Sequence, residues 1–163
     1  MTDLRTGTAI DPAVLIGRAQ ARYVRCIDEG PLEEWPGFFA EQCRYRVTTT
    51  KNYRNNLPAG LIWADSRAML TDRVTALRDA NIYEPHSYRH LIGQPAILAE
   101  DGENVGSETP FLVVRVTGDG PTELFATGRY VDSYVVRDGT ALLKERVVVC
   151  DSSRIDTLLA LPL

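Results

Sequence analysis

Apolar side chains recur every three or four positions in the first part of the chain, and the strand-like alternation of Cys43 to Thr50 returns beyond Pro85. Ile16, Ala19, Tyr23 and Cys26 with Ile27 form one stripe while Arg18, Arg22 and Arg25 fall mostly on other faces, which predicts an amphipathic helix. Asp11-Pro12 starts it, with an acid at the N-cap and a proline where the missing N–H costs nothing, and Gly30-Pro31 ends it after about Glu29. A short second helix is expected over Leu32 to Phe39, where Trp35, Phe38 and Phe39 give a concentrated aromatic surface suited to core packing. Cys43 to Thr50 reads as a strand with Cys43, Tyr45 and Val47 on one face. The Asn, Pro and Gly content of Lys51 to Gly60 predicts a long loop. A third helix follows from about Ala64 to Asn81, burying Met69 or Leu70, Val74 and Leu77.

Beyond Pro85 the pattern is that of strands, roughly Tyr88 to Leu98, Ser107 to Thr117, Thr122 to Arg137 and Thr140 to Asp151. Asp101-Gly102, Gly118-Asp119-Gly120 and Asp138-Gly139 mark the turns, and the gaps are short enough for antiparallel neighbours. Helices first and a strand meander afterwards favour an α+β fold, with the helices packed on one face of a long, curved, mixed or antiparallel sheet. Residues 11–163 read as a single domain, preceded by an N-terminal extension over residues 1–10.

Composition narrows the function. The chain has 163 residues, of which 44% are hydrophobic and 25% charged, so a globular core is expected rather than disorder. Eighteen Lys and Arg stand against 22 Asp and Glu, with no basic run to neutralise a phosphate backbone, so nucleic acid is not an expected partner. No segment has the length of a membrane span and the first residues lack a signal-peptide pattern, which places the protein in the cytoplasm. Cys26, Cys43 and Cys150, odd in number and widely spaced, read as reduced core thiols.

The catalytic inventory is thin. On a strand, His86 and His90 share a face about 13 Å apart at ~3.3 Å per residue, too far to share one metal. Helical spacing would allow chelation, but Pro85 and the Tyr-Arg-His-Leu-Ile run favour extended chain. A Rieske centre needs two Cys and two His, which would leave no histidine for a second iron. The chain also lacks a Gly-rich phosphate loop and a nucleophile elbow. Arg115, Arg129, Glu145 and Arg146 interrupt apolar strands and are read either as an exposed face with cross-strand ion pairs or as a subunit contact. The apolar run Leu158 to Leu163 implies docking, onto its own domain or onto a neighbour.

One family shares these residues in order. Glu34-Trp35-Pro36 with Phe38-Phe39, Tyr45-Arg46-Val47-Thr48, Trp63-Ala64-Asp65-Ser66, Met69-Leu70-Thr71-Asp72-Arg73 and Asn81-Ile82-Tyr83-Glu84 carry the first half. Tyr88-Arg89-His90, Thr109-Pro110-Phe111, Phe125-Ala126 with Gly128, Glu145-Arg146 and Cys150-Asp151-Ser152 carry the second. The chain resembles the small (β) subunits of aromatic-ring-hydroxylating dioxygenases, cone-shaped proteins of the nuclear-transport-factor-2-like class. The Trp63-Ala64-Asp65 region and the terminal Leu-Ala-Leu-Pro-Leu point to the terephthalate branch.

The resemblance implies a non-catalytic subunit of an α3β3 oxygenase whose α subunit carries the Rieske [2Fe–2S] cluster and a mononuclear Fe(II). It implies no cofactor in this chain, cis-dihydroxylation of an aromatic carboxylate with O2, and electrons from NADH through a separate reductase. Tyr88, Arg89, His90 and Arg146 are the expected subunit-contact residues. Two rival readings stand beside it. In the first, a stand-alone cone-fold isomerase or dehydratase would use His86, His90, Asp28 and Tyr45. In the second, the same fold would be a small-molecule binding or self-assembling protein.

Overall fold

The computed structural model describes residues 10–80, 86–154 and 161–163. The chain begins with α1 (Pro12–Glu29), a 3-10 segment (Leu32–Phe38), β1 (Phe39–Thr49), α2 (Thr50–Arg54), β2 (Ile62–Ala64) and α3 (Arg67–Ala80). It continues through β3 (His86–Ile92), β4 (Ala96–Asp101), β5 (Asn104–Thr117), β6 (Thr122–Arg137) and β7 (Thr140–Cys150). The strands form one sheet in the order β2-β1-β7-β6-β5-β3, with β4 also pairing β5. β1 runs parallel to β7, and the other pairs are antiparallel, so the expected α+β fold is realised with a mixed sheet.

Local chemistry explains the helix ends. The Asp11 carboxylate accepts from the Ala13 N–H at 2.9 Å, and the Gly30 N–H closes α1 onto the carbonyls of Arg25 and Cys26. Ile16, Gln20, Tyr23, Cys26 and Ile27 form the buried face, so Gln20 takes the place expected of Ala19. The aromatic segment is wound as a 3-10 helix that carries Pro36 inside it. Trp35 meets Phe39 and Tyr45 edge-on at 5.7 and 5.2 Å, the core packing anticipated for it.

Three expectations change. The strand expected from Tyr88 to Leu98 is broken at residues 93–95. β3 pairs with the second half of β5 and β4 with the first half, and the Gly93 N–H donates to the Pro110 carbonyl between them. Part of the expected loop after Thr49 winds into α2 under a Thr49 cap, and Ile62–Ala64 is drawn into the sheet as an edge strand, so α3 starts at Arg67. Leu70 and Val74 are buried on α3 while Met69 is exposed, and the expected last residue, Asn81, lies outside the described residues.

The core lies between the helices and the concave face of the sheet. Gly128 marks its tightest point, because a Cβ there would come within 2.1 Å of the Val149 carbonyl oxygen on β7. Among the described residues no helix is long and apolar enough to cross a membrane.

All three cysteines are unpaired and buried, and burial pushes the Cys150 thiol up to about 12 from its ordinary value near 9. A raised folded-state value means that the unfolded thiol ionises first. The stabilisation is therefore complete below pH 9 and is lost as pH climbs toward 12. Urea midpoints should decline between about pH 9 and 10, below the range where unfolded tyrosines ionise. Cys150→Ala should decline less steeply, and an equal slope would remove this role from the thiol.

Candidate functional site

Four strands bring a row of side chains to one level of the concave face: Tyr45 on β1, Arg146 on β7, Asp132 on β6 and Ser107 on β5, each directly opposite the next. A bulge sets this row. Near the β6–β7 turn Tyr134 faces Leu143, but the register then shifts, so that Ser133 faces Glu145 and Asp132 faces Arg146. The extra residue, Lys144, reverses the in–out alternation of β7, and both Leu143 and Arg146 point into the core.

Arg146 and Asp132 are both fully buried and form a two-pronged pair, Nε to Oδ1 at 2.9 Å and Nη2 to Oδ2 at 2.7 Å. The guanidinium carbon sits 3.9 Å from the Tyr130 ring centre and 4.2 Å from that of Tyr23, held between the two aromatic faces. Nη2 also donates to the Tyr134 hydroxyl, and the Gln20 amide on α1 donates to Thr109 at 2.8 Å and to Asp132 at 3.3 Å. Burial alone would pull the Arg146 guanidinium down, and the Asp132 carboxylate more than reverses this, holding its pKa well above the ordinary value. Arg146 therefore stays charged inside the cone.

A second buried pair ties α1 to the sheet edge. Asp28 accepts from the His90 backbone N–H at 2.8 Å and from its ring Nδ1–H at 2.6 Å. One position after Asp28 on the helix and one before His90 on the strand, Glu29 and Arg89 meet on the surface. Tyr88 turns inward and stacks on Phe125, with ring centres 4.9 Å apart.

Residues 161–163 supply a third set of contacts. The hydroxyls of Tyr23 and Tyr45 each donate to the Leu163 main-chain oxygen at 3.1 Å, and the Leu163 N–H donates back to the Tyr45 oxygen. Burial raises both phenols above their ordinary pKa, so they keep the protons this arrangement requires.

The expected contact residues thus divide. Arg89 is on the surface, whereas the side chains of Tyr88, His90 and Arg146 are buried within the chain. Arg146 is not on an exposed strand face, because the bulge at Lys144 turns it inward. Arg115 and Arg129 follow the expected surface pattern, pairing with Glu123 at 2.5 Å and Glu108 at 3.3 Å, contacts worth ~0–1 kcal/mol each.

His86 and His90 do share an inward face of one strand, with the Tyr88 ring between them. Among the described residues no group of three His, Cys, Asp or Glu is placed to hold a metal ion. Of the acid–base candidates, Asp28 bonds to His90, while the Tyr45 hydroxyl is committed to Leu163. Sequence reasoning passed over Asp132 and Gln20. The signal for Asp132 is an acid two residues from both Tyr130 and Tyr134 inside an apolar alternation.

Comparison with known proteins gives consistent results. Residues 14–147 match the SnoaL-like domain family. The chain is 48% identical over 150 residues to the terminal oxygenase component subunit beta 1 of terephthalate 1,2-dioxygenase from Comamonas sp., covering 92% of this chain and 97% of that one. It is 37% identical over 144 residues to the anthranilate 1,2-dioxygenase small subunit of Burkholderia cepacia, covering 88% and 89% respectively. Among solved structures it superposes on the β subunit of a candidate aromatic-ring-hydroxylating dioxygenase from Novosphingobium aromaticivorans with a TM-score of 0.86 and 40% identity, covering 93% and 96% of the two chains.

Removing one member of the buried pair strands the other charge. Asp132→Ala or Arg146→Met should each cost about 3–5 kcal/mol in urea unfolding. The double variant Asp132→Leu/Arg146→Met should recover much of that loss. Additive losses in the double variant would show that the two charges do not depend on each other.

Proposed function

Because this chain belongs to the SnoaL-like domain family and, within it, to the small (β) subunits of aromatic-ring-hydroxylating dioxygenases, we propose that it is the structural, non-catalytic subunit of a Rieske oxygenase acting on an aromatic carboxylate. Near-full-length identity of 48% to a terminal oxygenase β subunit carries this reading. The name of that relative supports terephthalate as the substrate. The reaction proposed is cis-dihydroxylation with O2, fed by NADH through a reductase. In this reading a large α subunit binds the Rieske [2Fe–2S] cluster and the mononuclear Fe(II), and three copies of each subunit form an α3β3 particle.

The interior of the cone supports a structural role. Several of its polar groups bond to one another: Arg146 to Asp132, His90 to Asp28, and Tyr23 and Tyr45 to Leu163. The His90 ring and the Asp28 carboxylate are 0% and 3% exposed, which leaves a substrate no route to the dyad in this conformation and weighs against an isomerase or dehydratase reading.

The outer face of the sheet offers a surface for partners. Leu91 and Leu124 are 56% and 63% exposed, and they flank Leu112 and Val114 of β5, with Arg89 opposite Val114. An apolar patch with an arginine at its rim is the kind of surface a neighbouring subunit covers. Arg89 would make the contact, while Tyr88, His90 and Arg146 would hold the strands beneath it in register.

Coexpression with an iron-bearing α subunit should yield a stable complex of about equal subunit amounts on size exclusion. Arg89→Glu should weaken that association about tenfold while leaving the fold intact. An α subunit that assembles and turns over at full rate without this chain would overturn the proposal.

A further inference from the structure

The two edges of the sheet carry surfaces of opposite charge. At one edge, among the described residues, β2 pairs only with β1, and the segment between them returns along β1, its Leu61 N–H donating to the Val47 carbonyl. Leu57, Leu61 and Trp63 are each about half exposed there, and the Arg46 guanidinium lies 5.7 Å from the Trp63 ring. Leu57 joins this surface to α2 by donating its N–H to the Asn52 carbonyl. Lys51 and Arg54 of α2 line one hollow with Asp151, whose carboxylate accepts from the Thr127 hydroxyl. At the other edge, among the described residues, β4 pairs only with β5, and a register shift between Ile97 and Ala99 leaves Leu98 65% exposed. The strand ends in two exposed acids, Glu100 and Asp101. Elsewhere on the surface Arg78, Arg89, Arg115, Arg129 and Arg137 each pair with a glutamate of this chain. Among the described residues Arg46, Lys51 and Arg54 make no such pair, and neither do Glu100 and Asp101.

We propose that these two surfaces bind each other between copies of this chain, with Lys51, Arg54 and Trp63 of one copy meeting Glu100, Asp101 and Leu98 of the next. Charge identifies the occupant: each surface has an exposed apolar centre, and the cations around one complement the acids around the other. Trp and Arg beside an apolar patch are also the side chains that anchor protein contacts most strongly. Position sets the symmetry. The surfaces lie at opposite edges of the sheet, so one contact uses one surface of each copy and leaves the other for a further copy. Such a head-to-tail contact, repeated, closes as a ring. The contact itself concerns this chain alone. Only the number of copies rests on the reading above, because an α3β3 particle requires a ring of three.

Analytical ultracentrifugation of the full chain, without an α subunit, tests this. The expected result is a particle of three chains whose association weakens about tenfold between about 0.05 and 0.5 M NaCl, as exposed charges are screened. A monomer, a dimer, or indifference to salt overturns the proposal. A closed ring of another number supports the contact and counts against the α3β3 reading instead. Lys51→Glu/Arg54→Glu should leave a monomer, and so should Glu100→Lys/Asp101→Lys. All four exchanges combined in one chain should restore the ring, which damage to the fold would not do. Paired exchanges that still assemble, or a combined variant that stays monomeric, overturn the proposal. Should the exchanged chains fail to fold by circular dichroism, Trp63→Ala and Leu98→Ala take their place. Each should weaken association about tenfold, and unchanged association in both overturns the proposal.

Discussion

A guanidinium buried between two phenol rings, with its carboxylate on the neighbouring strand, sets the terms on which this cone closes. Water cannot compensate Arg146, so protein groups do: Asp132 with two hydrogen bonds, Tyr23 and Tyr130 with their ring faces, Tyr134 with its oxygen. Those partners come from α1 and β6 while Arg146 itself lies on β7, so satisfying one charge fixes how the first helix lies against the middle of the sheet. Gln20 extends the constraint to β5 through Thr109. The pair therefore contributes more to the choice of one arrangement than to net stability, since buried charges largely repay their own desolvation.

The same helix is tied down at two further points. At its end, Asp28 grips both the backbone and the ring of His90 on the edge strand β3. At its middle, Tyr23 reaches the main chain of Leu163 together with Tyr45. Three polar anchorages along one helix, each bonded internally, fix how that helix lies on the sheet. The interior is filled by the chain's own side chains, Leu161 and Leu163 among them. On the outer surface Leu91, Leu124 and Arg89 stay exposed.

Sheet geometry links these features. The bulge at Lys144 gives the β6–β7 pair two phases, Leu143 inward near the turn and Arg146 inward beyond it. A second irregularity between Phe39 and Arg44 gives β1 a matching shift, so Tyr45 stays level with Arg146 across the parallel pair. Bulges also increase strand twist, which suits a sheet that wraps around a helix. The close approach at Gly128 lets β6 and β7 draw together where Cys150 ends the sheet's inner face.

The sequence by itself determined the parts that depend on local periodicity and turn chemistry. The span of α1 follows from Asp11-Pro12 and Gly30, the limits of β6 from the turns on either side of it, and the inward face of β1 from Cys43, Tyr45 and Val47. The placing of His86 and His90 on one strand with a shared face was legible too, because side chains alternate along a strand. What the tertiary structure alone decided was the facing of Arg146 and the partnership of Asp28 with His90, Gln20 with Asp132, and Leu163 with two tyrosines. Near-total burial of β7 from Arg146 to Cys150 conceals its alternation, and a single extra residue reverses which face is inside. Residues 62 and 112 positions apart meet only because the sheet curves back over the helix, and no pattern within a strand or a turn encodes that distance.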